Sequence, residues 1–224
     1  MFEDIETGVL SRLRSIDAIY EYLSTDNLSD EIINSDFYRT QKGVVFVLMY
    51  AALEFSLTQS VSRTLEVIEQ ENARPSQFRS PLLCTLLDPQ FKALRECGPN
   101  KVWEKRLTLI DAISKNESVS SIDSSVFPSG GAMNISIQQI ENVWKFFEIQ
   151  EDLLPDGVQH FLISEIKDHR NAIAHGRETA INIGRRFNVT QLGNRIQLIK
   201  LLSLHITSTF SDYCTNKNYF LPAA

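Results

Sequence analysis

Apolar residues recur along most of the chain at helical spacing. Near the N-terminus Phe2, Val9, Ile16 and Leu23 stand at seven-residue steps, with Ile5, Leu13, Ile19 and Tyr20 between them, and draw one apolar stripe along a helix. Thr25 to Asp36 is polar and reads as a loop with room for a short acidic helix. A long helix is expected from about Asp36 to Glu71. Its first part, with Val44, Val45, Val47 and Leu48, is apolar on nearly all sides; its second carries Leu53, Leu57, Val61, Leu65 and Ile68 at three- and four-residue steps. The run "GVVFVLMYAAL" has the composition of a strand, but the helical pattern continues well beyond it and decides for helix.

Arg74-Pro75 ends that helix, because the residue before a proline is pushed out of the helical region. Ser80 to Asn116 reads as short helices, with Asp88-Pro89 as a start in which the carboxylate is the N-cap, and Gly98-Pro99 as a stop. Glu117 to Met133, rich in Ser and Gly, is expected to be a mobile loop. Ser136 and Gln139 form a capping box for a helix carrying Ile140, Val143, Trp144 and Phe147. The next helix is expected to open at Pro155-Asp156 with Asp156 as cap, to bury Phe161, Leu162 and Ile166, and to close at Gly176. Thr190 is the expected cap of the last long helix, with Leu192, Ile196, Ile199, Leu202, Ile206 and Phe210 on its apolar side. No internal repeat and no second core is evident. The pattern predicts an all-α fold: an up-and-down bundle of four to five long helices, one domain over residues 1–224, with short helices inserted at about 74–133.

At 43% hydrophobic and 22% charged residues, the composition suits one sizeable core and excludes a disordered chain. A net charge of −6 argues against a protein that coats nucleic acid by bulk electrostatics. The charge is uneven, however. Between Ile163 and Lys200, seven cations (Lys167, Arg170, Arg177, Arg185, Arg186, Arg195, Lys200) face three anions (Glu165, Asp168, Glu178). Such a patch could meet phosphates, with Lys167, Arg177, Arg185 and Arg186 as candidate contacts; a solvated helix end and loop is the plainer account. The three scattered cysteines, without a CxxC pair, fit reduced thiols better than a disulfide framework or a zinc site. The N-terminus is acidic with no apolar signal segment, and the run from Val44 to Leu53 is too short to span a bilayer. A soluble, cytoplasmic protein without membrane contact is expected.

One segment stands out for chemistry: "EIKDHRNAIAHGRE", residues 165–178. At 100° per residue, Leu162, Ile166, His169 and Ile173 share the apolar side of this helix, Asp168, Asn171 and His175 lie opposite, and Arg170 sits on the flank. His175 therefore points away from its own bundle, toward solvent or another subunit, whereas His169 reads as a core histidine. His160 and His205 have no partner in the sequence pattern. A cation at a helix C-terminus also interacts favourably with the macrodipole and can bond the last carbonyls, which by itself would account for His175 before Gly176. A metal site at Glu165 and His169 is a poorer account, because His169 faces the core and no third ligand is evident. With no Gly-rich phosphate loop and no G-x-S-x-G, the NTPase and serine-hydrolase classes are excluded.

"RNAIAHG", Arg170 to Gly176, resembles the R-x(4–6)-H signature of the HEPN superfamily, and is most similar to its prokaryotic nuclease branch associated with toxin–antitoxin and other defence systems. The likeness extends to the layout: a long second helix with an acidic residue in its middle, here "MYAALEFSL" with Glu54, against the motif helix, and a closing helix after it. This resemblance implies a metal-independent endoribonuclease that needs no cofactor. Two motif helices would meet across a two-fold axis in a homodimer, each giving an Arg170 and a His175 to a composite cleft for RNA. The residue types suit cleavage by 2′-hydroxyl attack: an imidazole can take or give a proton near neutral pH, and a guanidinium holds phosphate in a planar fork of donors. Asn171 would orient phosphate or imidazole, and Asp168 and Glu54 would support the position or tautomer of the pair. An antitoxin or a nucleotidyltransferase is the implied protein partner. Two rivals stand beside this reading: a HEPN-like module that binds a nucleotide, RNA or protein without cleaving, and a plain helical adaptor in which the motif is a C-cap.

Overall fold

The structure is a computed structural model that describes residues 1–114 and 135–222. Among these residues the fold is all-α, with ten α-helices and no strand; Phe78 and Phe220 form an isolated antiparallel bridge. In chain order the helices are α1 (Glu3–Leu23), α2 (Asp30–Ile33), α3 (Asp36–Gln70), α4 (Ser80–Leu86), α5 (Asp88–Glu96), α6 (Val102–Ser114), α7 (Ile137–Phe147), α8 (His160–Ala174), α9 (Ala180–Arg185) and α10 (Val189–Thr215). The Ser/Gly-rich stretch from Glu117 to Met133 lies outside the described residues.

The heptad line of α1 is buried as its spacing predicts, from Phe2 through Val9 and Ile16 to Leu23. α3 is the central rod. Ser35 caps its start by accepting from the Tyr38 N–H, and Leu53, Leu57, Val61, Leu65 and Ile68 are all buried. By length and composition it is the one helix among the described residues long and apolar enough to cross a bilayer. Here α1, α8, α9 and α10 pack along it and take up that apolar surface in a single cluster running from Phe2 to Tyr219. The predicted apolar positions of α7 and α10 also enter this cluster, and the capping box of Ser136 and Gln139 opens α7. In the region of short helices, α4 sends Leu82 and Leu86 into the core, while α5 and α6 bury no residue. α6 leaves Trp103 72% exposed, with Leu107, Ile110 and Ile113 also outward.

Three expected caps are corrected. α5 begins at Asp88 itself, and the half-helical residue before it is Leu87, which also ends α4, so the Asp88 carboxylate caps nothing. α8 does not start at Asp156. Gly157 takes φ of +84°, outside the helical region, and the helix begins only at His160 with Gln159 as its N-cap. α10 is capped by Asn188 rather than Thr190, because Asn188 and Gln191 form a reciprocal box, each side chain bonding the other's backbone N–H. Phe161, expected inside, is 59% exposed; Ile163 takes the buried position, since Phe161 lies one residue before the inward line of Leu162 and Ile166.

The segment after the motif helix, read from sequence as a loop, holds α9. Thr179 caps this helix by accepting from the Asn182 N–H. α9 lies directly on α3, backbone to backbone. A Cβ on Gly43 would stand 2.0 Å from the Ala180 carbonyl oxygen, and one on Gly184 would stand 1.9 Å from that of Arg39. Only glycine at both positions permits this approach. Lys42, buried beside Gly43, donates from Nζ to the Phe187 carbonyl at 2.6 Å and so satisfies a backbone acceptor just past the C-terminus of α9. Phe187 in turn meets Phe46 at a centroid distance of 4.7 Å, and the His169 ring meets Phe46 and Phe187 edge-on at 4.8 and 5.5 Å. His169 is thus packed into the core side of α8, as its place in the pattern predicts.

Two outcomes are expected. Gly43→Ala and Gly184→Ala should each lower stability to urea by about 3 kcal/mol, the upper end for overpacking a tight contact. The double variant should lose clearly less than the sum, because one separation of the helices relieves both clashes; strict additivity would disprove the shared contact. Burial pulls the His169 imidazole below its ordinary 6.5. The unfolded chain therefore binds the extra proton first, and this contribution to stability falls as pH is lowered through about 6.5. His169→Phe should flatten the dependence of the urea midpoint on pH as it falls below about 6.5; an unchanged slope would assign it to other groups.

Candidate active site

The end of α8 is closed by its own backbone. Gly176 adopts φ of +66°, its N–H bonds the Ile173 carbonyl at 3.1 Å, and the Arg177 N–H reaches back to the Ala172 carbonyl at 2.9 Å. This pairing is a Schellman motif, and it satisfies the carbonyls that a capping side chain would otherwise serve. The His175 side chain is exposed and makes no hydrogen bond among the described residues. The C-cap account therefore leaves the imidazole with no bond to make. Its outward direction agrees with the helical count.

Arg170 points elsewhere. Five residues correspond to about 140° of rotation, so the guanidinium leaves the helix on a different side from the imidazole. It lies over the ring of Tyr50 on α3, 4.6 Å from the centroid, and its Nη1 donates to the Asn171 Oδ1 at 2.9 Å. Asn171, half-buried, stands between the two motif side chains around the helix. Tyr50 is itself buried, and its hydroxyl accepts from the Ile135 N–H at 2.6 Å, just before the Ser136 cap of α7. Burial raises the Tyr50 pKa above its ordinary 10.0; the Ile135 N–H and Arg170 oppose the rise, and Glu54 adds to it. Glu54, one turn beyond Tyr50 on α3, thus shares the corner occupied by Arg170. Asp168 does not join it: its carboxylate is exposed on the outer face, without a hydrogen bond or ion pair to Arg170 or His175 among the described residues.

The basic stretch is largely neutralised within the molecule. Arg186 bonds Glu178 in a short contact, Arg185 reaches Asp36 on α3 at 3.5 Å, and Lys200 bonds Asp17 on α1. Arg195 pairs with both carboxylate oxygens of Glu165, at 2.6 and 2.9 Å, while lying over the Phe187 ring. Of the four candidate phosphate contacts, Arg185 and Arg186 are therefore engaged in holding α9. Lys167 and Arg177 have no ion pair among the described residues. The Glu165 carboxylate, weighed with His169 as a metal pair, is taken up by Arg195. Among the described residues no three His, Cys, Asp or Glu side chains are grouped to hold a metal ion. His205 bonds the Asp152 carbonyl at 2.7 Å and stacks on Trp144, and His160 is exposed at the first turn of α8.

Tyr50 is the residue that pattern reading passed over. It counts as one more apolar position of α3, and the signal that could have singled it out is its place one turn before Glu54 in "MYAALEFSL".

Residues 9–220 match the family model described as RiboL-PSP-HEPN. No curated protein and no solved structure matches the chain. The matched stretch takes in α3 with Tyr50 and Glu54, the whole of α8 with its closing glycine, and α10. On a match of this extent, the chain belongs to the RiboL-PSP-HEPN family of the HEPN superfamily.

Proposed function

We propose that this protein is a cytoplasmic, metal-independent endoribonuclease, a toxin or defence effector, that cleaves RNA at a cleft shared by two copies of the chain. The observation that carries the reading is the exposed His175 side chain, left without a structural task by the backbone closure of α8. Arg170 is half-buried, held by Tyr50 and Asn171, and directed away from the His175 of its own helix. One protomer accordingly offers acid–base chemistry on one side and phosphate binding on another. Two α8 helices facing each other across a two-fold axis would bring both kinds of group together.

The outer face of α8 supports such a meeting. Phe161, Asp168 and His175 follow at seven-residue steps and are all exposed, so the face that carries the imidazole begins with a large apolar side chain turned to solvent. In the reaction, one His175 takes the proton of the RNA 2′-hydroxyl as the 2′-oxygen attacks phosphorus. The P–O5′ bond breaks, and the second His175 protonates the leaving oxygen. Arg170, with Asn171 fixing its edge, binds the negative charge on the phosphorane. The products are a 2′,3′-cyclic phosphate and a 5′-hydroxyl. An antitoxin or a nucleotidyltransferase acting at this face would silence it.

Purified protein should cleave RNA in the presence of EDTA. His175→Ala and Arg170→Ala should each lower the rate by about 10²–10⁴-fold with the fold intact by circular dichroism. Undiminished cleavage in both variants would remove this site from the reaction. A wild-type protein that binds RNA but leaves it whole would place the chain among non-cleaving modules. In sedimentation velocity, Phe161→Asp should shift dimer to monomer and reduce cleavage in parallel; a variant that stays dimeric and active would rule out the α8 face as the contact.

A further inference from the structure

We infer that Tyr50 is a positioning residue for the reaction proposed above, an aromatic platform that fixes the plane in which the Arg170 guanidinium meets phosphate. The inference rests on the assignment of Arg170 to the cleft, and it adds a residue that neither the motif nor the family match singles out. Three contacts define the arrangement. The guanidinium carbon lies over the Tyr50 ring, 4.6 Å from its centroid. The ring is 2% exposed and is pinned at both ends, by α3 at its Cα and by the Ile135 N–H, 2.6 Å away, at its hydroxyl. The guanidinium edge is turned by Asn171, which accepts from Nη1 at 2.9 Å.

A guanidinium lying over an aromatic face gives the ring its π surface and keeps its N–H bonds in its own plane, so the contact with the ring does not itself consume the donors of a planar fork. The side chain of arginine has many rotamers, and each one excluded before RNA arrives is ordering that the reaction does not have to supply. The platform is held by α3, α8 and the start of α7 together, so the direction of Arg170 is set by packing in three elements. The phenol itself stays protonated, since burial raises its pKa, and so it acts on Arg170 and takes no proton from RNA.

The test uses the full-length chain with an RNA oligonucleotide and the variants Tyr50→Phe, Tyr50→Leu, Arg170→Ala and Tyr50→Leu combined with Arg170→Ala. Tyr50→Phe keeps the ring and should keep kcat within about threefold, whereas Tyr50→Leu should lower kcat about tenfold with a smaller change in KM. In the Arg170→Ala background the Leu substitution should cost nothing further, because the group it positions is gone. An equal loss in both backgrounds, or wild-type kcat in a folded Tyr50→Leu protein, would overturn the platform. Should Tyr50→Leu fail to fold, Tyr50→Met, nearer the ring in length, takes its place under the same criteria. A readout independent of cleavage separates this inference from the nuclease assignment: the Arg170 Nε–H resonance, identified by its loss in Arg170→Lys. It should be ring-current shifted in wild type and Tyr50→Phe, and move to the random-coil region in Tyr50→Leu, even if no RNA is cut. The same resonance position in all three would refute the stacking.

Discussion

The contact of α3 with α9 at Gly43 and Gly184 is the constraint on which the site depends. Two backbones meet where any Cβ would strike a carbonyl oxygen. That closeness brings the Phe187 carbonyl within reach of Lys42 and places the Phe187 ring against Phe46 and His169. His169 belongs to α8, so the same contact that seats the short helix also sets the motif helix against the long one. The chain between Gly176 and Thr179 then has little choice of path. It turns back on a Schellman closure and leaves His175 at the rim.

α8 works as a divider. Its inner side, from Leu162 and Ile163 through Ile166 to Ala172, is consumed by packing, and His169 on that side is a core group whose proton affinity is lowered by burial. Its outer side keeps Phe161, Asp168 and His175 in contact with solvent. Arg170 falls between, half-buried and tied to α3 through Tyr50. A single helix thereby separates a guanidinium held against α3 from an imidazole open to solvent, the two groups to which the proposed reaction gives phosphate binding and proton transfer.

Local periodicity made the long helices legible, because each of them buries a stripe that repeats at a spacing visible in one dimension: the heptads of α1, the three- and four-residue steps of α3 and α10. The capping box of Ser136 and Gln139 was readable for the same reason, and the box of Asn188 and Gln191 could have been. The outward direction of His175 followed from counting turns, and the motif from its resemblance to the HEPN signature. What stayed hidden depends on pairs distant in sequence. α9 is six residues long and contains a helix-disfavouring glycine, and only Gly43, far earlier in the chain, explains why that glycine is there. Phe161 misled because an aromatic residue near a helix start suggests a core anchor, whereas its side is decided by one residue of phase. The pairing within the basic stretch was hidden because the carboxylates that meet Arg185 and Lys200, Asp36 and Asp17, lie far away in sequence.

That pairing has a thermodynamic consequence. Cations already matched to carboxylates hold no condensed counterions to give up, and they release none from a polyanion unless their own pairs break. An RNA strand held at the end of α8 would meet Lys167 and Arg177, beside the Arg170 held by Tyr50 and Asn171, and few other cations without an ion pair among the described residues, so its affinity would respond only shallowly to ionic strength. Discrimination would then rest on how a strand fits the rim of the helix, and a chain of net charge −6 would be kept from gathering RNA indiscriminately.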